Sequence, residues 1–236
     1  HLPSKQRVSG SSPDRGAIIK MKKELHYFNE TIGVYRNALS KNLCDKIISV
    51  FESPNVQQNH VEQGKTFTGV NIDNKNSLDA FISNIPEFSD IQETITTVSN
   101  KCIDDYVRKW DGKDCPFNAN SIFGDGTYYP GWKMQKYAKG EGHYNSWHVE
   151  SDPCHKPSQG RCFRIFAVMF YLNDVAEGGQ TSFLYSNCKI APRAGTFICW
   201  PATWPWVHSG ATPISDNKYI LTTWLQGLWA KEVDAS

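Results

Sequence analysis

Two histidines and one carboxylate stand out in this chain by their type and spacing. His148 and Glu150 lie two apart in Trp147-His148-Val149-Glu150, and His208 lies in Trp206-Val207-His208-Ser209-Gly210. Residues two apart on a strand project from the same face. Such a pair, joined by one distant His, offers two imidazoles and one carboxylate to a single point. That set, held on one side of a metal with positions open opposite, suits non-haem Fe(II). Other donors stand close by. His143 precedes His148 by five positions and lacks a period-two partner. Asp152 is a second carboxylate in step with His148, but Pro153 follows it and turns the strand away, so Glu150 is preferred. Cys154, His155 and Cys162 do not have a standard zinc spacing.

The elements that would position these residues are short strands. From Trp132 onward the chain alternates strand-like runs with turns at Gly140-Glu141-Gly142, Gly178-Gly179, Arg193-Ala194-Gly195 and Ser215-Asp216-Asn217. An antiparallel double-sheet roll is the natural architecture. Lys218, Ile220, Thr222 and Trp224 share one strand face, which lets Lys218 enter the roll while Tyr219 points out. A lysine there is costly unless paired, and an anionic ligand would supply the pair.

The first half reads as helical support. Ser40 is an N-cap for a helix to about Glu52, with Leu43, Cys44, Ile47, Ile48 and Phe51 on one stripe and Pro54 as a stop. Residues 55–76 read as a polar loop or lid, and Leu78, Phe81, Ile82 and Ile85 as a short helix before Pro86. Ser89 and Gln92 have capping-box spacing, opening a long helix striped by Ile91, Ile95, Val98, Cys102, Tyr106 and Trp110. Residues 1–20, rich in Ser, Pro, Gly and Arg, read as a flexible extension, and residues 21–236 as one domain with its roll over about 127–228.

Composition bounds the partners. Lysine plus arginine number 25 against 24 acids, which leaves no electrostatic footprint for nucleic acid. No apolar run approaches the roughly 20 residues of a membrane span. The N-terminus lacks an apolar secretory segment, and seven cysteines without a framework spacing read as reduced thiols; the expectation is a cytoplasmic protein.

In order, Tyr137, His148 with Glu150, Tyr171-Leu172-Asn173, Gly178-Gly179-Gln180-Thr181, His208 and Lys218 resemble the core of prolyl-4-hydroxylase-like oxygenases that use Fe(II) and 2-oxoglutarate. The resemblance runs over about ninety residues. Glu150 stands where the family carries Asp, and Gln180 where it carries Glu. The resemblance implies an α+β protein with a double-stranded β-helix (jelly-roll, cupin-like) core braced by N-terminal helices. It implies His148, Glu150 and His208 as iron ligands and catalytic centre, and Lys218, Tyr137 and Tyr171 as contacts of 2-oxoglutarate, with Thr222 lining the iron side. It further implies O2 as cosubstrate, ascorbate as reductant, and a peptidyl proline in a peptide or protein as substrate. The alternatives are a hydroxylase of a free amino acid or other small molecule and, from another class, a catalytically silent β-roll binding module.

Overall fold

The computed structural model describes residues 22–26, 31–66, 68–109, 127–151 and 162–228. The expected extension at 1–20, and Trp110, Asp152, Cys154 and His155, lie outside them. The described residues begin with β1 (Lys22–His26), antiparallel to β2 (Ile32–Arg36), then α1 (Lys41–Phe51) and α2 (Pro54–His60). Next come β3 (Glu62–Gln63), β4 (Lys75–Asn76), β5 (Leu78–Phe81), two 3-10 turns and α3 (Ser89–Arg108). The second half is β6 (Thr127–Tyr128), β7 (Lys133–Tyr137), β8 (His143–His148), β9 (Cys162–Tyr171), β10 (Thr181–Phe183), β11 (Cys188–Ile190), β12 (Thr196–Pro201), β13 (His208–Gly210) and β14 (Lys218–Leu228).

These strands form two antiparallel sheets. The larger runs β1-β2-β12-β9-β14-β7-β5-β3, with β6 on β14; the smaller runs β11-β10-β13-β8-β4. Strand alternation divides the core in two. One face of the large sheet, with Val168, Phe170, Phe197 and Leu221, packs on Cys44, Ile47 and Phe51 of α1 and on Ile95, Cys102 and Tyr106 of α3. The opposite face, with Ala167, Met169, Tyr171, Ile198 and Ile220, packs on Phe183 and Ile190 of the small sheet. The helices therefore brace the outside of a roll whose interior lies between the sheets. This is the expected double-stranded β-helix with its N-terminal helical brace.

Local sequence signals hold at some ends and fail at others. The Ser40 hydroxyl accepts from the Leu43 amide at 3.2 Å, capping α1 as expected. Pro54 ends α1 but begins α2, because proline fits the first helical turn. Residues 55–76 therefore contain a helix and two short strands, not only a loop. The expected helix at Leu78–Ile85 is β5 followed by a 3-10 turn, since pairing with β7 overrides a helical spacing. The Ser89–Gln92 capping box does not form: Ser89 lies inside α3, and the Gln92 amide donates to the Ile82 carbonyl at 3.1 Å. Among the described residues no helix is long and apolar enough to cross a membrane.

Candidate metal centre

Strand pairing brings the two histidines together. In the β8–β13 ladder His208 stands opposite His148, and their rings lie 4.3 Å apart between centroids. β8 ends at His148, so Glu150 sits in a bend just past the strand, where its amide donates to the Ala202 carbonyl at 3.0 Å. Ala202 belongs to the loop that leads from β12 to His208, and this bond ties the acid to the second histidine's own segment. Glu150 Oε1 lies 3.3 Å from His208 Nε2 and 3.7 Å from His148 Nε2. One ligand atom from each of the three residues falls within 4.8 Å of the others.

The far side of each ring fixes its chemistry. His148 Nδ1 lies 2.8 Å from the Ser146 carbonyl and His208 Nδ1 lies 3.0 Å from the Trp206 carbonyl. A carbonyl oxygen only accepts, so each Nδ1 carries a proton and each Nε2 is free to present a lone pair. Such outer hydrogen bonds orient metal-binding imidazoles. Glu150 is held as firmly. Trp224 Nε1 donates to Oε2 at 2.8 Å, and Arg164 donates to the Glu150 carbonyl at 2.6 Å while stacking 3.7 Å over the Trp224 ring. Oε1 is left to face the imidazoles. Burial opposes the charge on Glu150, but the two imidazoles, when they carry a proton at Nε2, outweigh it and hold the carboxyl well below its usual range. Burial, and then His148, press His208 below its ordinary value against the pull of Glu150. An anionic oxygen and two neutral imidazole nitrogens fit a divalent cation such as Fe(II).

Deeper in the roll stands Lys218, 2% exposed. Its ammonium donates to the Gly179 carbonyl at 3.1 Å and lies 4.5 Å over the Tyr137 ring. No acid pairs with it among the described residues, and burial pushes its pKa down to about 7. Trp200, edge-on to His208 at 4.9 Å, has an indole N–H without a partner among the described residues. Two buried donors lacking full acceptors fit an anionic, oxygen-rich ligand. Gly178 and Gly179 adopt positive φ, 77° and 70°, which lets the Gly179 carbonyl turn to Lys218. Tyr137 is wholly inside beside Lys218, and burial raises its pKa far above the ordinary phenol value. Tyr171 is also buried, but its hydroxyl meets Thr181 Oγ1 at 2.6 Å and the Ile190 carbonyl at 3.0 Å. Thr222 shares the inner face of β14 with Lys218 and pairs with Lys133 in register. His143 lies outside the three-residue group, paired with Asn76.

Sequence reasoning missed Trp224 and Arg164 as supports of Glu150, and the acid Asp79 with its lysines. Trp224 was legible as inward-facing by alternation, but its target was not.

Residues 132–226 match the family model of the 2OG-Fe(II) oxygenase superfamily. No curated protein matches the sequence. Among solved structures, the viral collagen prolyl hydroxylase from Paramecium Bursaria Chlorella virus-1, in its 2OG complex, is 18% identical with a TM-score of 0.61, covering 85% of this chain and 98% of its own. A prolyl-4-hydroxylase from Pseudomonas putida is 14% identical with a TM-score of 0.58, covering 83% and 92%. A Trichoplax adhaerens prolyl hydroxylase, in complex with a hypoxia inducible factor oxygen degradation domain peptide fragment, is 16% identical with a TM-score of 0.58, covering 83% of each. At these identities the structures share a fold with this chain. Residues 132–226 thus carry the sequence signature of the 2OG-Fe(II) oxygenase superfamily, on a fold that these structures share.

Proposed function

We propose that this oxygenase hydroxylates prolyl residues in a peptide or protein, with His148, Glu150 and His208 holding Fe(II) and Lys218 receiving the far carboxylate of 2-oxoglutarate. The observation that carries the reading is the convergence of two Nδ1-anchored imidazoles and one tethered carboxylate in a roll that also buries a lysine with no acid partner among the described residues. Iron with 2-oxoglutarate and O2 supplies the oxidising power that replaces C–H by C–OH and leaves succinate and CO2. The protein's residues supply placement. Trp224 and Arg164 keep Glu150 in position, Gly179 and Tyr137 keep Lys218 at the closed end, and Ile220 and Met169 line an apolar wall that excludes water.

A peptide substrate is supported by the rim. Trp204 and Tyr185 are 70% and 55% exposed and meet edge to face at 6.4 Å. Trp204 lies in the loop whose Ala202 binds Glu150, so the exposed aromatics stand at the metal end of the roll. Aromatic surfaces suit extended proline-containing segments.

The test is ligand-dependent stability, then product. Mn(II) with 2-oxoglutarate should raise the melting temperature, by an amount equivalent to about 2.7 kcal/mol when ligand stands at a hundredfold its Kd. Proline-containing peptides should then gain the mass of one oxygen in the Fe(II) enzyme. Folded protein that gains no stability would instead support the silent binding module.

A further inference from the structure

We propose that Lys75 and Lys133, gathered around Asp79 on the inner wall of the roll, form a second anion subsite, one that binds a carboxylate of the substrate. The inference rests on the dioxygenase reading of the neighbouring centre, because it names the substrate of that centre.

Asp79 is 5% exposed and heavily used. Its Oδ2 lies 2.7 Å from Lys75 Nζ and 3.3 Å from Lys133 Nζ, while Oδ1 accepts from the Ser77 hydroxyl at 2.7 Å. Gln135 Nε2 lies 3.2 Å from Oδ1 and 3.1 Å from Oδ2. A carboxylate offers about four acceptor sites, and here all are engaged. One acid therefore answers two ammonium groups, and the cluster holds one surplus positive charge. Each ammonium has three N–H donors. Among the described residues Asp79 is the acceptor for both, and their other close neighbours are ring faces: Tyr144 at 5.6 Å from Lys75 and Phe81 at 5.7 Å from Lys133. Lys75 is 2% exposed, so bulk solvent does not reach its remaining donors. A purely structural network would balance its charge; among the described residues this one does not, and Asp79 alone accepts from the buried Lys75.

Position identifies the ligand. Lys75 pairs with Tyr144 across β4 and β8, and Tyr144 stacks on His148 at 3.8 Å. The Glu150 carboxylate is near enough to favour the charged form of Lys75, although burial dominates and lowers its pKa. Lys133 stands level with Thr222, two residues before Trp224, whose indole binds Glu150. The cluster thus flanks the metal centre. It is separate from Lys218: Asp79 aligns with Gln135 and thence Ile220, two strands from β14 and two residues along, a separation on the order of 10 Å. Lys133 keeps 14% side-chain exposure beneath the half-exposed Phe81, which leaves a route from solvent. A group entering there reaches two cations while the rest of its molecule lies against the metal. A carboxylate is the fitting partner for paired ammonium groups facing a site that already holds one acid. An acidic side chain beside the target residue, or a free C-terminus at it, would each present that chemistry.

The experiment measures binding to protein loaded with Mn(II) and 2-oxoglutarate by titration calorimetry. The probes are hexapeptide pools centred on proline with Asp or Glu flanking it, matched pools with Asn or Gln, and each pool with its C-terminus free or amidated. L-Proline and L-prolinamide complete the set. One of these acid–neutral pairs should differ in Kd by about tenfold in favour of the acid. That preference should fall below about twofold in Lys133→Met and return in Lys133→Arg, which keeps the charge. The pair that discriminates tells a side-chain carboxylate from a terminal one. Equal binding across every pair in the wild-type protein, or a preference untouched by Lys133→Met, overturns the proposal. A rise in the Kd of 2-oxoglutarate in Lys133→Met, with acid preference unchanged, would assign the cluster to the cosubstrate and also overturn it. If Mn(II) and 2-oxoglutarate fail to bind at all, the failure lies in the dioxygenase reading instead.

Discussion

At Glu150 the chain carries the longer acid where the resembling family has Asp, and its surroundings explain how the extra methylene is held. The residue lies past the end of β8, its amide bound to Ala202, its carbonyl to Arg164 and its Oε2 to Trp224. Three separate tethers leave Oε1 little freedom except toward the imidazoles. Glu150→Ala should lose iron and all coupled succinate release, since two neutral imidazoles leave a divalent ion under-neutralised. Glu150→Asp should keep weaker binding and partial turnover, because charge is retained and reach is lost. Iron stoichiometry on refolding-checked variants distinguishes them. Lys218 leads to a pH prediction. Its folded-state pKa, about 7, lies below the roughly 10.4 of an unfolded chain. Between those values the unfolded state holds the proton and the folded state does not, so ligand-free stability should rise as pH climbs from about 7 to 10. A carboxylate beside Lys218 reverses the preference. Binding of 2-oxoglutarate near pH 8.5 should take up close to one proton, and near pH 6 almost none. Calorimetry in buffers of different ionisation enthalpy measures that uptake.

Elements meet at two joints that the function depends on. The first is the turn between β11 and β12, where Gly195 has φ +72° and an added Cβ would come within 2.0 Å of the Leu39 carbonyl oxygen. Gly195 also donates to Tyr171 and accepts from Leu39, joining β9, the turn and the approach to α1. Gly195→Ala should destabilise the protein by roughly 1–3 kcal/mol, from strain and the forced separation, read from the urea midpoint at constant m. The second joint is the passage from β4 in the small sheet to β5 in the large one. Asp79 lies just beyond that crossing and neutralises Lys75 within the roll. Asp79→Asn should cost about 3–5 kcal/mol, since it strands a buried ammonium without its counter-charge. If the midpoint does not move, Lys75 has another way to shed its charge.

Across the whole molecule, the two sheets do different work. β14 pairs with β9, β7 and β6 and carries both Lys218 and Trp224, so one central strand spans the closed end of the roll and the metal end. The small sheet contributes both histidines through β8 and β13. Amides of β9, β12 and β14 should therefore be the slowest to exchange with deuterium, reporting near-global opening. Those at residues 68–74, where Val70 and Ile72 are more than half exposed, should exchange fastest. Uniform protection across the two regions would contradict this division.

The sequence by itself determined the roll and its chemical end groups. Its period-two alternation put Lys218 inward and Tyr219 outward, and Tyr219 indeed packs outside, with its hydroxyl on Glu52 at 2.9 Å. Glycine pairs and Ser40 marked turns and a cap because their preferences act within a few residues. Where a long-range partner decided the outcome, local reading failed. Leu78–Phe81 carried a helical spacing and became a strand because β7 was there to pair with it. Gln92, spaced for a capping box, found the Ile82 carbonyl instead. The side-chain tethers of Glu150 come from residues 14 and 74 positions away, and the surplus charge around Asp79 exists because β4, β5 and β7 converge. Periodicity assigns a side chain to a face, but which other side chains share that space is fixed when the sheets close.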